Sequence, residues 1–320
     1  MEPIIPFEPV RKDRIPSGED WMTQVKWDGV RILVYRDGNE VRLFNRKKNE
    51  RTMNYPELVD IRSFCKGSSV ILDGEVIALG EDGKPSFHKV MRRDGIRREE
   101  RVKYMKDVVP VSYMIFDVLF YNGDWLNQRP LIERMEILDE IIEPRENIQL
   151  VASHDDPHAL FEAIRQQEME GIVMKKRDSP YLIGEKKENW IKVKNYRDLI
   201  AAIGGFTLDG NVANAVLLGL YDREGRFHYA GHTGTGKMTG EDWRVLTEKL
   251  QRLKVDSCPF VNRPHRHKDA YWVRPVLTVK VQYAEWTQGR ALRQPSIQAL
   301  VDIPASECVM SSDRMRGAGD

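Results

Sequence analysis

The 320-residue sequence predicts an α+β protein of two domains, the first rich in antiparallel sheet and the second an all-β barrel. Alternating apolar segments separated by Asp-Gly pairs dominate the first part of the chain. Two helical patterns follow between residues 130 and 170. From about Arg197 the chain changes to short alternating segments with Gly-rich turns. We therefore expect domains at 1–196 and 197–320.

Composition narrows the class of protein. Apolar residues make up 41% and charged residues 31% of the chain, and no apolar run approaches the roughly 20 residues of a membrane helix. The N-terminus has no basic leader and no apolar signal region, so we expect a cytoplasmic protein without membrane attachment. The three cysteines lie far apart, which predicts reduced thiols and argues against structural zinc.

One stretch, Val25-Lys26-Trp27-Asp28-Gly29-Val30-Arg31, places a lysine just before an Asp-Gly pair and an arginine just after it. Asp-Gly between alternating apolar flanks predicts a hairpin turn, because glycine adopts positive φ at no steric cost. Lys26 would then lie at a rigid strand end. It is either a solvated turn lysine, the commonest fate of a lysine, or a reactive group that the rest of the chain supports.

A cluster of cations follows the predicted hairpin. Segments 32–35 and 41–44 are predicted strands on either side of a second turn, Asp37-Gly38. The returning strand ends in Asn45-Arg46-Lys47-Lys48. These cations indicate either a phosphate-binding corner or a charged loop tip, which is common at sheet edges.

Acidic residues interrupt two strands that are otherwise apolar. The predicted strand at 70–79 contains Asp73 and Glu75, and the aromatic-rich strand at 113–121 contains one acid. A carboxylate in such a strand must reach an edge, pair with a cation or bind a metal, since burying it unpaired costs several kcal/mol. This favours a functional role for Glu75, whereas Phe116 alone would be a core residue.

The two helical patterns precede a further acid and two lysines. Pro130 opens one helix, and a second is predicted at about 157–170, which would hold Glu170 at a helix end just before a strand. In Trp190-Ile191-Lys192-Val193-Lys194 the alternation places both lysines on one strand face. That face is either a binding surface or an ordinary solvated one.

The last third of the chain has about five predicted strands and one helix, at about 240–253, which suggests a small barrel. Within it, 231–237 has the glycine spacing of a phosphate-binding P-loop. Met238 stands where that motif needs Ser or Thr for Mg²⁺, and no parallel βαβ unit surrounds it, so we do not expect a P-loop.

A net charge of +1 does not by itself indicate a nucleic-acid-binding protein, so such a role depends on local patches. Segment 89–107 contains eight basic and four acidic residues, and 263–268 is a short basic run just before Tyr271 and Trp272. Both patches also fit ordinary solvated surfaces, although basic groups beside aromatics suit contact with a nucleic acid.

Together these residues are compatible with attack of a lysine amine on the α-phosphate of a nucleotide, which gives a lysyl-nucleotide phosphoramidate. A lysine amine is a nucleophile only when deprotonated, so burial or nearby cations must lower its pKa from about 10.4. Glu75 and Glu170 offer oxygen ligands for Mg²⁺, which binds through one or two carboxylates and substrate phosphates. The cations, which would also hold a triphosphate and the leaving pyrophosphate, are Arg31, Arg46, Lys192 and Lys194.

The order KWDGVR, FNR, LDGEV, FDVLFY, EGIVMKK and WIKVK resembles the covalent nucleotidyltransferases and, among them, the ATP-dependent DNA ligases. The resemblance implies an ATP-grasp-like nucleotidyltransferase (adenylation) domain over 1–196, an OB-fold domain after it, ATP as substrate, and Mg²⁺ or Mn²⁺ as cofactor. Gln24 stands where the family often has a glutamate that reads the adenine edge, and both Gln24 and Val25 are expected to contact the nucleotide.

The resemblance also implies a role for each motif residue. Lys26 takes AMP, and Arg31 and Arg46 contact the nucleotide or the DNA 5′-phosphate. Glu75 binds ribose or metal, Phe116 stacks on adenine, and Glu170 serves the metal. Lys192 and Lys194 hold phosphates.

Two C-terminal features refine the resemblance. Segments 283–287 (YAEWT) and 292–296 (LRQPS) are similar to the ligases of bacterial end joining. The chain lacks the Leu-Arg-x-Asp-Lys-like element that usually follows in the family, where it has Ala299-Leu300-Val301-Asp302-Ile303-Pro304. We therefore expect a slow first step or a substitute cation.

The resemblance thus implies a monomeric ATP-dependent DNA ligase that seals 5′-phosphate/3′-hydroxyl nicks in duplex DNA through lysyl-AMP and DNA-adenylate. Its expected setting is DNA repair, with a Ku-type end-binding protein as partner. An RNA ligase or a GTP-using capping enzyme would use the same chemistry. An inactive nucleic-acid-binding protein on a ligase scaffold is an alternative of another class; the intact acids and lysines argue against it, and the missing terminal element argues for it.

Overall fold

The computed structural model describes residues 1–18, 20–262, 264, 268–287 and 289–310. Most of the basic run at 263–268 lies outside these residues, since only Pro264 and Lys268 are described. Contacts divide the chain into two compact units, the first comprising Met1–Asn195 and the second beginning at Tyr196. No helix in the described ranges is long and apolar enough to span a membrane.

The first unit combines strands, helices and short 3₁₀ turns. Its strands are β1 (Glu8–Lys12), β2 (Trp21–Val25), β3 (Val30–Asp37), β4 (Glu40–Asn45), β5 (Ser69–Ile77), β6 (Ser112–Tyr121), β7 (Asp124–Trp125), β8 (Ile148–Leu150), β9 (Ser153–His154), β10 (Gly171–Lys176) and β11 (Lys186–Lys194). Its helices are α1 (Phe87–Asp94), α2 (Glu99–Val108), α3 (Leu131–Ile141) and α4 (Pro157–Gln166), with 3₁₀ turns at Thr52–Asn54, Pro56–Leu58 and Ile61–Ser63.

These strands form two sheets. The first has the order β1-β11-β10-β2-β9, and the second has the order β4-β3-β5-β6-β7 with β8 beside β6. All pairings are antiparallel except β1 with β11 and β6 with β8. The predicted α+β fold with antiparallel sheets is therefore confirmed.

The strand β5 is buried on both faces because each face packs against a different layer. Val70 and Leu72 belong to the core that the helices cover, whereas Ile71 packs in a second cluster with Trp190 of the first sheet. Residues alternate between the faces of a strand, so the nearly continuous apolar run of β5 serves both layers. The acids Asp73 and Glu75 extend the face that meets the first sheet.

The prediction of a hairpin at Asp28-Gly29 is wrong. β2 belongs to the first sheet and β3 to the second, so this pair connects two sheets. A Cβ at Gly29 would lie 2.2 Å from the carbonyl oxygen of Val76, so close packing and not positive φ requires glycine here. Asp37-Gly38 does form the β3–β4 hairpin, with Gly38 at φ 58°.

The helix predicted at about 157–170 is shorter than expected. α4 ends at Gln166, and Glu168 adopts a left-handed conformation with φ 57°, which cannot continue a helix. Glu170 therefore lies in the connection between α4 and β10 and not at a helix end. Its position is fixed by its carbonyl oxygen, which accepts from the Asn195 amide at 2.9 Å.

The second unit is a barrel with one main helix, α5 (Gly240–Arg252). Its strands are β12 (Arg197–Asp209), β13 (Val212–Tyr221), β14 (Phe227–Thr233), β15 (Lys254–Val255), β16 (Tyr271–Val273), β17 (Thr278–Tyr283), β18 (Glu285–Trp286), β19 (Leu292–Arg293) and β20 (Ser296–Val301), followed by a 3₁₀ turn at Ala305–Glu307. Antiparallel pairing gives the order β14-β13-β12-β17-β20.

The segment after β14 closes this run of strands on itself. The Lys237 amide donates to the Ile297 carbonyl oxygen at 2.8 Å, and the Ile297 amide donates to that of Thr235 at 2.9 Å. These bonds join the segment in parallel to β20. The backbone of the glycine-rich loop, 231–237, is thus bonded to β20, and the first turn of α5 is capped by Thr239 and Asp242.

Candidate active site

Lys26 directly follows β2 and is fixed at the start of β10. Its amide donates to the Gly171 carbonyl oxygen at 2.9 Å. Gly171 has φ 145°, and a Cβ there would lie 2.3 Å from the carbonyl oxygen of Val193, so only glycine allows this approach. Gly171 is also paired with Lys194 across β10 and β11. Lys26, Glu170 and Lys194 are therefore brought together by backbone geometry.

The register of β2, β10 and β11 determines which side chains share one face of the first sheet. Gln24 pairs with Val173, and Val173 pairs with Lys192. Because side chains alternate, Gln24, Lys26, Lys192 and Lys194 share this face. Val25 lies on the other face, where it packs against a cluster that includes Ile172 and Val193. A contact from Val25 to a nucleotide can therefore use only its backbone.

Glu170 binds two lysines at once. Lys26 Nζ donates to its Oε2 at 2.6 Å, and Lys194 Nζ lies 2.8 Å from its Oε1. Burial acts to lower the pKa of Lys26, but the carboxylates of Glu170 and Glu75 outweigh burial and raise that pKa above its usual value. The expectation that cations depress the pKa of Lys26 is therefore wrong for this state, because carboxylates act more strongly on the amine.

Glu75 lies on β5 opposite Arg31 of β3. Burial raises the pKa of Glu75 to about 8, although Lys26 and Arg31 act to lower it, and Glu170 adds to the increase. Among the described residues its carboxylate has no hydrogen-bond partner, so a metal ion or a ribose hydroxyl would supply the missing contact. In the same ranges no group of three or more His, Cys, Asp or Glu side chains could hold a metal alone.

Arg31 is largely committed to contacts inside the protein. Its Nε and Nη2 donate to Asp73 at 2.9 and 2.5 Å, Nη1 donates to the Phe7 carbonyl oxygen at 2.8 Å, and Nη2 also donates to the Tyr181 hydroxyl at 3.0 Å. A guanidinium has five N–H donors, so one on Nη1 remains for a ligand. The buried acid Asp73 is thus explained as the partner of Arg31.

Two predicted phosphate-binding cations have no ion pair within the described ranges. Arg46 is exposed and directly follows β4. The preceding residue, Asn45, pairs across the strands with Ile32 of β3, which is next to Arg31 in sequence. Lys192 is half-buried, and its pKa is lowered by burial and by the neighbouring charges of Lys26 and Lys194. Such a site attracts anions, because an added negative charge would relieve the repulsion between these lysines.

A small apolar cluster includes Phe116. Ile77, Met114 and Val151 form its buried part, with Trp27 and Phe116 packed against them. The amide nitrogen of Gln24 donates to the Val151 carbonyl oxygen at 3.3 Å and to Ser153 Oγ at 3.2 Å. This arrangement leaves the Gln24 carbonyl oxygen to accept from an amino group such as that of adenine.

Lys175 is a buried residue that sequence reasoning missed. Its Nζ donates to the Phe116 carbonyl oxygen at 2.9 Å and lies 4.6 and 4.2 Å from the ring centres of Phe116 and Trp190. Burial lowers the pKa of Lys175 to about 7. Its alternation with Val173 places it on the face of the candidate site, and this signal in the sequence would have identified it.

The chain matches two family models. Residues 10–194 match the model described as ATP dependent DNA ligase domain, and residues 209–302 match the model described as ATP dependent DNA ligase C terminal region. Together these two matches extend across both units.

Individual relatives agree with the family models. The chain is 32% identical over 291 residues to the multifunctional non-homologous end joining protein LigD of Mycolicibacterium smegmatis. This match covers 89% of this chain and 36% of LigD. It is 29% identical over 318 residues to the DNA ligase of Thermococcus fumicolans, covering 93% of this chain and 55% of that ligase. The chain therefore spans between about a third and about half of the length of these relatives.

A solved structure gives the same result. The crystal structure of the ligase domain from Mycobacterium tuberculosis LigD matches with a TM-score of 0.51 and 28% sequence identity. The match covers 96% of this chain and 98% of that domain. The resemblance to LigD thus concerns its ligase domain.

Proposed function

This chain belongs to the family of ATP-dependent DNA ligases, and from that premise we propose that it seals nicks in duplex DNA through an AMP bound to Lys26. The observation that carries the proposal is the position of the Lys26 amine, 2.6 Å from Glu170 and within the field of Glu75. Lys192, which has no ion pair in the described ranges, and the side-chain amide of Gln24 lie on the same face of the first sheet as Lys26. A cation suits the phosphates of a nucleotide, and an amide suits its base.

The proposed reaction has three steps. The Lys26 amine attacks the α-phosphorus of ATP, so that a P–N bond forms and pyrophosphate leaves. The 5′-phosphate at the nick then attacks the same phosphorus and releases the lysine. Finally the 3′-hydroxyl attacks the 5′-phosphate and expels AMP.

The ion pair with Glu170 affects the first step. While Glu170 accepts from Lys26, the pKa of the amine stays raised and the amine is protonated. Lys26 must therefore leave Glu170 and lose a proton before it attacks. In this proposal Lys192 and Arg46 bind the triphosphate and the leaving pyrophosphate during this step.

We propose Mg²⁺ or Mn²⁺ as the cofactor, held by Glu75 and, once Lys26 has moved away, by Glu170. The lack of a hydrogen-bond partner and the raised pKa of Glu75 fit a carboxylate that a divalent cation would stabilise. When bound, the ion would neutralise charge on the phosphates. Glu75→Gln should raise the Mg²⁺ concentration needed for half-maximal formation of lysyl-AMP, and an unchanged requirement would remove Glu75 from the ligand set.

We propose a role in end joining with a Ku-type partner, which the similarity to LigD supports. A purified end-binding protein should increase the joining of two cohesive ends more than the sealing of an isolated nick. Equal stimulation of both reactions, or none, would contradict the partnership.

The function itself is tested with ATP labelled at the α-phosphate and a nicked duplex. Wild-type protein should become labelled and should seal the nick, whereas Lys26→Ala should lose the label but still close a nick that already carries DNA-adenylate. Lys187→Ala, which removes an exposed lysine paired with Glu185, is the matched control. Retention of the label by Lys26→Ala would overturn the assignment. Labelled GTP and a nick with RNA strands test the other nucleotide and strand types.

A further inference from the structure

We propose that four arginines around α1 and α2 form a second contact surface for duplex DNA, which binds backbone phosphates away from the nick. This arginine cluster consists of Arg92, Arg97, Arg98 and Arg101. The proposal rests on the proposed function, since it extends the surface on which a nicked duplex lies.

The arginine cluster is exposed and has no internal partner. All four arginines are among the residues that line one open pocket, and the single acid in this lining is Glu100. None of the four makes an ion pair or a side-chain hydrogen bond with another described residue. Four like charges in one pocket repel each other, so an anion that binds there relieves this repulsion.

Two exposed arginines on other helices are paired with an acid of the same helix. Arg165 on α4 donates to Glu162 at 2.8 Å, and Arg244 on α5 donates to Glu241 at 2.6 Å. Both pairs lie three residues apart on one helix, as expected for solvated ion pairs. The four arginines of the cluster differ from these two, because none of them is paired with another described side chain.

The chemistry of the pocket favours a phosphate backbone over a free nucleotide. Arginine binds phosphate oxygens with paired N–H donors, and four of them suit several phosphates in a row. The lining contains no aromatic ring on which a base could stack. DNA phosphates lie outside the duplex and need no base recognition, so they match this lining.

The cluster is held rigidly by a buried neighbour. Arg93 of α1 donates to the carbonyl oxygens of Val109 and Asn54 at 2.9 and 2.8 Å and pairs with Glu57 at 3.0 Å. These bonds fix the end of α1 relative to the end of α2. The four arginines are therefore presented on a fixed scaffold, which reduces the entropy lost on binding.

The loop that precedes α1 contacts the segment that leads to Glu170. Lys84, in the loop just before α1, pairs with Glu168 at 3.1 Å, two residues before Glu170. α1 has eight residues and is therefore about 12 Å long. A duplex rises about 3.4 Å per base pair, so α1 reaches no more than a few base pairs along DNA that passes this loop.

The test compares Arg97→Gln/Arg101→Gln with a control of equal charge change, Arg62→Gln/Arg165→Gln, in the full chain. Binding of a nicked duplex with long arms is measured against salt concentration. Loss of two phosphate contacts should lower the slope of log K against log salt by about 1.8, while the control double variant should keep the wild-type slope. Labelling of Lys26 by ATP should be unchanged in both variants.

The control double variant separates a backbone contact from a general effect of charge, because it removes the same charge elsewhere on the surface. A wild-type slope in Arg97→Gln/Arg101→Gln, or an equal loss of slope in the control, would overturn the proposal while leaving the proposed function intact. Failure of wild type to be labelled by ATP or to bind a nicked duplex would overturn the proposed function and, with it, this surface.

Discussion

Glu170 accepts from Lys26 and from Lys194, so the nucleophile of the proposed reaction is held as a cation in this state of the protein. Sequence reasoning identified the residues of this pair but predicted the opposite shift in the pKa of Lys26. It counted the cations near the amine and omitted the acids, because the sequence does not give distances. At 2.6 Å a single carboxylate outweighs several more distant cations.

Glu170→Gln should lower the pKa of Lys26 relative to wild type. Burial favours the neutral amine, and without Glu170 it is opposed mainly by Glu75 and Asp28. Acetylation of Lys26 by acetic anhydride, followed by mass spectrometry between pH 7 and 11, measures this pKa independently of catalysis. Glu168→Gln is the matched control, since Glu168 pairs with Lys84 and should leave the pKa of Lys26 unchanged. An equal or higher pKa in Glu170→Gln would mean that another group raises it.

Lys175 shows that a buried lysine can be tolerated when it has a carbonyl oxygen and two aromatic faces as neighbours. Its pKa is about 7 in the folded protein and about 10.4 in an unfolded chain. Between these values the unfolded state binds more protons, so the contribution of this group to stability rises with pH. Below pH 7 the folded protein carries the full cost of the buried charge.

Lys175→Met should therefore stabilise the first unit below pH 7, by about 1–3 kcal/mol. The gain should shrink as pH rises and become a loss of about 1 kcal/mol near pH 10, because the Phe116 carbonyl oxygen then lacks its donor. Urea unfolding of both proteins at pH 6, 8 and 9.5 measures the difference. A difference that does not depend on pH would show that Lys175 does not titrate in this range.

At the scale of elements, the sequence predicted most strands but could not assign them to sheets. Alternation located β3, β4, β5, β6, β10 and β11 to within a few residues. The Asp-Gly pair after Lys26 has the same sequence signal as the one in the β3–β4 hairpin, yet it connects two sheets, because Gly29 packs against β5. A local pattern carries no information on such a distant contact. The sheet face on which Val25 lies and the hydrogen bonds from Arg31 to Asp73 also depend on contacts between residues far apart in sequence.

The glycine-rich loop at 231–237 has a structural role, because its backbone bonds to Ile297 of β20. Lys237→Ala should leave labelling of Lys26 by ATP near wild type, since the backbone of the loop closes the barrel and its lysine side chain is exposed. If the side chain touches DNA, nick binding should weaken and the salt slope should fall by about 0.9. Gly236→Ala is the contrasting variant, because a Cβ there would lie 2.0 Å from the Ile297 carbonyl oxygen and should lower the melting temperature. Loss of labelling in Lys237→Ala at saturating ATP would place the loop in the nucleotide site.

At the scale of the whole molecule, each unit has its own core. The largest apolar cluster of the first unit is formed by residues from β3, β5, β6 and the helices around them, and that of the second by residues from 201 onward. Every residue that we assign to nucleotide binding belongs to the first unit. A ligand that binds one folded unit and not the unfolded chain stabilises that unit by RT ln(1 + [L]/Kd), or about 2.7 kcal/mol at 100 times Kd.

Calorimetry should therefore resolve two unfolding transitions, of which ATP shifts only one. Lys26→Ala is the protein of choice, because it binds nucleotide without forming the covalent adduct. Addition of ATP should raise the melting temperature of the transition that belongs to Met1–Asn195 and leave the other in place. The temperature dependence of Trp190 fluorescence, read against a Trp190→Phe variant, assigns that transition, since Trp190 packs in the core of the first unit. A shift of both transitions by the same amount would mean that the units unfold together, and a shift of the second alone would place the nucleotide in the barrel.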